Sequence, residues 1–397
     1  MQPSNIKRPS LALAALLLST AFVAARQPST STADPMTSNP FLSLMTAANT
    51  HAKAHGALTP VLSPVDATLL GPNPPVNVAE LHKASFRVVP WTTNDPAKMR
   101  ALIDLRVDGI ISDRPDILQS VLKEEAAAHP EASAYFAAFD VSAHRGGRGL
   151  RPENTLPSFE SGLDHLSTTL ETDTGVSTDH VSLIWHDQFY NPQSCRRADG
   201  APYTLENRVY LRDISSTDAQ QTFICDKLRS AQFPDQKNDL ALSPVAVAFA
   251  QQEKLISPYV PTYAEQLFRF TAFYADYYRT GPGKSHPDAA ARAANASRVR
   301  FNLETKILPP LPPAITAKET NPAESLINHT VEPQIFVDTL CGAITRNHMQ
   351  SRAEVQSFDF RTLILIEEQH PTIPTYYLTE DSKSLSTPLI PATLRQP

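Results

Sequence analysis

Glycine is scarce in this 397-residue chain, with only 12, whereas proline reaches 35. The shortage excludes collagen-like and glycine-rich low-complexity architectures, and the proline surplus predicts stiff, numerous loops. Three cysteines, with no CxxC or mixed Cys/His spacing, give no zinc module. Positive charge is not in excess: 35 Lys and Arg against 41 Asp and Glu leave −6 at pH 7. That balance argues against nucleic-acid binding and against a polybasic membrane surface. A long apolar run, "SLALAALLLSTAFVAA", follows Lys7 and Arg8 and ends in small residues at Val23–Ala25. A basic start, a short apolar centre and a small-residue exit describe a secretory signal over residues 1–25. The competing reading is a membrane anchor, because the run is only slightly shorter than a spanning helix. No cysteine follows it, which excludes a lipid-modified N-terminal cysteine. Export to a periplasmic or extracellular space is therefore expected, with no stable membrane insertion once the signal is removed. Residues 26–58 read as a disordered lead-in, most clearly in "RQPSTSTADPMTSNP" (26–40).

What is present is a globular composition, 41% hydrophobic and 19% charged, long enough for one large domain or two. Strands are expected at "FRVVPW" (86–91), "DGIIS", "FDVSA", "TTLETDTGV", "VSLIWHD", "RVRFNLETK" (298–306), "RAEVQSFD" (352–359) and "TYYLTE" (375–380). Helical spacing recurs between most of them: Met99, Leu102, Ile103 and Leu105 behind an Asp95 cap, then 115–128, 155–166 and 262–278. About eight strands alternating with helices predict a (β/α)8 TIM barrel over 59–397, interrupted by an irregular insertion at about 188–260. Cys195 and Cys225 both lie in that insertion, and an oxidising compartment permits them to pair. Cys341, in "FVDTLCGAI", reads as a buried free thiol.

Chemistry-bearing residues collect where strands should emerge. His144 and Arg145 follow one strand, and His186 and Asp187 end another. Glu171 and Asp173 lie two apart, as do Glu304 and Lys306, so in extended backbone each pair shares a face. Three carboxylates converging on one barrel mouth repel unless a cation neutralises them, and oxygen-only ligands select Mg²⁺ or Ca²⁺. Two histidines beside such an ion can exchange protons near neutrality, while Arg145 and Lys306 suit phosphoryl oxygens. Taken singly each feature has a plain alternative: a packed ring at His144, a solvated strand face at Glu171 and Asp173, an ordinary ion pair at Glu304–Lys306, a turn former at Asp187. Their joint occurrence at successive strand exits favours metal-assisted phosphodiester cleavage.

"AHRGGRGLRPENTLPSFESGL", with "ETD" and "IWHD", resembles the opening of glycerophosphodiester phosphodiesterases, which carry an HRG…PENT…ExD…HD series. "YVPTYAEQLF", "FNLETK" and "VQSFDF" continue the resemblance, and "RVVPWTTNDPAKMRALIDLRVDGIISDRPDIL" is similar to the segment with which that family closes. The resemblance implies a TIM barrel, one divalent cation, and hydrolysis of a small glycerophosphodiester to glycerol 3-phosphate and an alcohol. It assigns His144 and His186 as the acid/base pair and Glu171, Asp173 and Glu304 as metal ligands. Arg145 and Lys306 would hold the phosphate, Glu153 would support them, and Trp91 would line the pocket, although core packing also suits that ring. It also implies a disulfide between Cys195 and Cys225, in an insertion that helps cover the glycerol end of the site. Arg106 stands where the family commonly has glycine, at an expected turn. "STDHVSLIWHD" replaces the usual Lys-Asp-Gly turn.

The order of these pieces is rotated. The closing part (59–122) precedes the opening part (139–381), "KEEAAAHPEASAYFAAFD" (123–140) is long enough to link them, and "TYYLTE" resembles the sixth strand. A circularly permuted barrel follows, with two strands before residue 139 and six after. The alternative is exchange of strands between two chains. Competing functions are a lysophospholipid- or sphingomyelin-type phosphodiesterase on the same barrel, and a binding protein without activity.

Overall fold

The structure, a computed structural model, describes residues 39–307, 329–382, 384–386 and 390–394. The signal expected over 1–25 and the lead-in to residue 38 lie outside these. The rest of the expected lead-in is not disordered: Pro40–Ala54 is a helix. Asn39 caps it by accepting from the Leu42 N–H (3.1 Å), Pro40 supplies a preset first turn, and Phe41, Leu44, Met45, Ala48 and Ala52 bury one face. That three-and-four spacing is what outweighs the polar composition around it.

The sheet curls into a closed ring. β1 (Val61–Pro64) is bridged in parallel to the segment 88–91 through Leu62↔Val88 and Val65↔Trp91. On its other side this segment accepts from the Asp108 and Ile111 N–H groups (2.8 and 2.9 Å), which joins it to β2 (Gly109–Ser112). β2 pairs with β3 (Asp140–Ala143) and β3 with β4 (Thr169–Val176). After β5 (Ser182–Ile184) and the short ribbon of β6 (Arg196–Arg197) and β7 (Phe223–Ile224), the ring resumes with β8 (Arg300–Thr305), β9 (Ala353–Ser357) and β10 (Thr375–Thr379). β4, β8, β9 and β10 pair in parallel in that order, and β10 pairs with β1. Eight parallel staves thus close within one chain, as a TIM barrel requires.

The expected strand inventory is corrected at two points. "VSLIWHD" is not a stave: β5 runs antiparallel to the overshooting end of β4. The turn between them, closed by the Ser177 N–H on the Val181 carbonyl (3.1 Å), is too short for a parallel crossover. The missing stave is "VLSP" at β1, four residues buried on both faces and therefore without alternation. Three staves accordingly precede residue 139 and five follow, which makes "TYYLTE" the fifth after 139 rather than the sixth. The link between the two parts is a helix (Pro115–Ala128), a 3-10 turn and a short helix (Ser133–Ala138). Arg106 does adopt a left-handed backbone (φ 64°), and its guanidinium lies over the Tyr135 ring at 5.0 Å.

The insertion carries its own apolar cluster around Trp185, Tyr190, Leu211 and Phe223, stapled by a disulfide between Cys195 and Cys225. Cys341 is free and buried.

At the N-terminal ends of the staves, Glu354 is buried with Arg300 3.9 Å away, and Arg300 also pairs with Asp140 (2.8 Å). Burial pushes the Glu354 carboxyl up to about 7, with Arg300 only partly opposing. An unfolded chain releases that proton near the ordinary value of about 4.3, so between these pH values the native state holds a proton the unfolded state has lost. Stability should therefore fall as pH rises through this window, by up to about 1.4 kcal/mol per unit from this one group. Urea melts at pH 5 and pH 7.5 should show a smaller drop for Glu354→Gln than for the parent chain; an identical drop would exclude Glu354 as the source.

Candidate active site

The C-terminal ends of the staves converge on a cavity of about 400 Å³. His144, Arg145, Glu171, His186, Glu304 and Lys306 all line it, with Trp91, Ile111, Phe358 and Leu378 as its apolar wall. Residues 91, 144 and 356 come from widely separated parts of the sequence, yet all three line this one cavity.

His144 leaves β3 at a sharp turn in which Arg145 takes a left-handed conformation (φ 50°) and Gly146 and Gly147 continue it. A Cβ on Gly146 would sit 2.6 Å from the Ser158 hydroxyl, so the turn can pack there only as glycine. The Arg145 N–H donates to Glu171 (2.8 Å), and its guanidinium reaches Glu153 (3.0 Å) and Asp173 (3.2 Å). The His144 ring is fixed by Asp113, whose carboxylate accepts from Nδ1 at 2.6 Å. A carboxylate can only accept, so Nδ1 carries the proton and Nε2, 3.9 Å from Glu171, presents its lone pair to the cavity. His186 is held in the same sense: Nδ1 donates to Asp187 (2.8 Å), which Asn191 also supports (2.9 Å).

Burial, reinforced by Arg148, pushes His144 down to about 4, more than Asp113 pulls it back. Burial also lowers His186, followed by the charges of Arg145 and Lys306. Burial alone would raise Asp113, but His144 and Arg148 hold it well below the usual carboxylate range. Both imidazoles are therefore neutral near pH 7, each oriented by an ionised carboxylate.

Glu171 and Asp173 on β4 and Glu304 on β8 are buried with carboxylate oxygens within 4.8 Å of one another. One oxygen of Asp173 lacks a hydrogen-bond partner, its nearest cation being Lys306 at 3.6 Å. Lys306 lies closer to Glu304 (2.9 Å). Among the described residues, Asp113, Glu153, Glu171, Asp173 and Glu304 thus face Arg145, Arg148 and Lys306 as fixed cations. The residual negative charge, the unpartnered oxygen and an all-carboxylate donor set fit a hard divalent cation. The same excess explains why burial and then the Asp173 charge push Glu171 well up, and why burial pushes Glu304 up to about 7.

Each residue expected to act is thus brought to one mouth, with Glu153 behind Arg145 and Asp187 behind His186. Trp91 both packs and lines: its indole N–H donates to the Ser63 carbonyl (3.0 Å) and its ring meets Phe358 edge-on at 5.3 Å. The insertion meets the 144–151 loop, where Gln236 donates to the carbonyl of the cavity-lining Arg148 (2.8 Å) and Phe233 lies under the Arg148 guanidinium (5.0 Å).

The family model for the glycerophosphoryl diester phosphodiesterase family matches residues 12–117 and 144–276, well over half of the chain. The chain belongs to that family. As a member, it shares 46% identity over 48 residues with a probable glycerophosphodiester phosphodiesterase 2 of Mycobacterium tuberculosis, a match that spans 12% of this chain and 18% of that one. Among solved structures, a putative glycerophosphoryl diester phosphodiesterase from Silicibacter pomeroyi is 20% identical, with a TM-score of 0.40 over 61% of this chain and 64% of that one. A phosphodiesterase from Oleispira antarctica, solved with sn-glycerol-3-phosphate, is 14% identical, with a TM-score of 0.34 over 59% and 64%.

Several residues of this family member escaped sequence reasoning. Asp113 stands at a strand exit with no partner nearby in sequence, and only the parallel pairing of β2 with β3 brings it to His144. Arg148 holds Asp113 (2.6 Å) and reaches Glu153 (3.4 Å), a role hidden among the other arginines of "HRGGRGLR". Gln356 donates to Glu171 (2.7 Å) and Asn154 to Asp173 (2.9 Å), each orienting a carboxylate. Asparagine in "PENT" and glutamine in "VQSFDF" were the available signals.

Proposed function

We propose that the chain is an exported, metal-dependent glycerophosphodiesterase on a circularly permuted barrel. The observation that carries the activity is the pair of carboxylate-oriented imidazoles, His144 and His186, lining one cavity with three clustered carboxylates. Glu171, Asp173 and Glu304 would hold Ca²⁺ or Mg²⁺, which supplies Lewis-acid polarisation of a phosphoryl oxygen when bound. Arg145 and Lys306 bind and orient the diester anion. One histidine takes the proton of the attacking oxygen at its bare Nε2, and the other, after taking a proton from solvent at Nε2, delivers it to the departing alkoxide. Over the whole cycle water adds to phosphorus, the bond to the alcohol breaks, and glycerol 3-phosphate and the free alcohol leave. A cavity of about 400 Å³ with polar floor and partly aromatic wall is of a size for a small diester. Permutation is supported by strand order and by the family match falling into two segments separated by residues 118–143, around the linking helices. Export is supported by the N-terminal apolar run and by the Cys195–Cys225 disulfide.

The substrate class is tested by comparing choline release from glycerophosphocholine and from lysophosphatidylcholine. Faster turnover of the first is expected; preference for the second would replace this reading with the lysophospholipid one. Asp113 acts through His144 rather than on substrate. Asp113→Asn should lower kcat by about 10–100-fold, the range for losing a supporting partner, with KM little changed. An unaltered kcat and pH profile would remove Asp113 from the mechanism.

A further inference from the structure

Away from the barrel mouth, the Pro40–Ala54 helix carries His51 in its last turn and ends on the cap residue His55, four residues on. Glu368, on the Phe360–Gln369 helix, completes a group whose three ligand atoms lie within 4.8 Å of one another. The two rings stand with centroids 4.5 Å apart. The His55 Nδ1 lies 3.0 Å from the His51 carbonyl oxygen. A carbonyl can only accept, so Nδ1 carries the proton and Nε2 keeps its lone pair, which is the tautomer a ligating histidine uses. The His51 Nε2 is itself buried without a hydrogen-bond partner, 3.6 Å from Glu368.

We propose that His51, His55 and Glu368 form a second metal site, for a borderline transition-metal ion such as Zn²⁺, which pins the N-terminal helix to the barrel. Two imidazoles and one carboxylate select such an ion, whereas the all-oxygen mouth favours Ca²⁺ or Mg²⁺. Tetrahedral zinc needs ligand atoms about 3.3 Å apart, so side-chain rotation without backbone movement closes the group. The Pro40–Ala54 helix precedes the first stave, β1, and the Phe360–Gln369 helix precedes the last, β10, and these two staves pair. Bound metal would therefore brace the point at which the two ends of the rotated chain come together, and its effect is on stability rather than on turnover. Nothing in this site depends on the proposed phosphodiesterase reading.

The test uses Co²⁺ as a spectroscopic probe on the full chain and on His55→Gln, Glu368→Gln and Glu304→Gln. His55 and Glu368 are exposed, so their replacement leaves packing intact. Excess Co²⁺ should produce visible ligand-field bands and raise Tm by a few degrees in the parent chain and in Glu304→Gln, whose mouth site is impaired. Both signals should disappear in His55→Gln and weaken in Glu368→Gln. Bands and Tm shift unchanged in His55→Gln, or signals lost only in Glu304→Gln, would overturn the proposal, as would no signal in any chain, which would leave His51–Glu368 an ion pair only.

Discussion

Replacing either His144 or His186 by alanine should lower kcat for glycerophosphocholine by about 10²–10⁴-fold, the usual worth of one positioned acid or base. The two rings occupy equivalent situations: each donates through Nδ1 to a carboxylate and offers Nε2 to the same cavity. Neither holds the barrel together. Among the described residues, His186, half-buried, bonds its neighbour Asp187, while Asp113 keeps Arg148 (2.6 Å) and Asn94 (2.7 Å) when His144 is removed. Tm should therefore move by no more than a few degrees, and a circular dichroism melt run beside each assay separates lost chemistry from lost fold. Because the two act in one proton-transfer cycle, the double variant should be scarcely worse than the more damaging single one. Near-full turnover in either single variant contradicts the assignment.

The second large effect concerns the carboxylates. Glu304→Gln and Asp173→Asn should each weaken cation binding by at least about 10–100-fold and reduce turnover in proportion at limiting metal, with partial recovery in excess Ca²⁺ or Mg²⁺. Asp173→Asn should be the more severe. Asp173 accepts from Asn154 (2.9 Å) and faces both Arg145 (3.2 Å) and Lys306 (3.6 Å), so its replacement also releases the groups that bind phosphate. Glu304→Gln frees only Lys306. Thermal melts give an activity-independent readout: the parent chain should gain about 2.7 kcal/mol at a hundredfold excess of ion over Kd, and the variants should need far more ion for the same gain. Equal ion-induced shifts in parent and variants would exclude these carboxylates as ligands.

Which parts of this arrangement could be read from sequence follows from how local each signal is. Glu171 and Asp173, and Glu304 and Lys306, declare a shared face by two-residue spacing, and the structure places all four at one mouth. β1 was illegible because a stave buried on both faces has no alternation and "VLSP" ends in proline. "VSLIWHD" misled for the opposite reason: it has the composition of a strand, and only the shortness of the preceding turn shows that it folds back on β4. The helix at Pro40–Ala54 was overlooked beside a Ser/Thr/Pro-rich stretch, although its apolar spacing is regular. Asp113 meets His144 and Arg148 only when β2 pairs with β3, and no local pattern announces the contact.

The most direct measurement is release of glycerol 3-phosphate from glycerophosphocholine by the purified chain, before and after chelation. Release should stop with chelator and return with Ca²⁺ or Mg²⁺. No release with either ion, or release undiminished by complete chelation, would contradict metal-dependent diester hydrolysis.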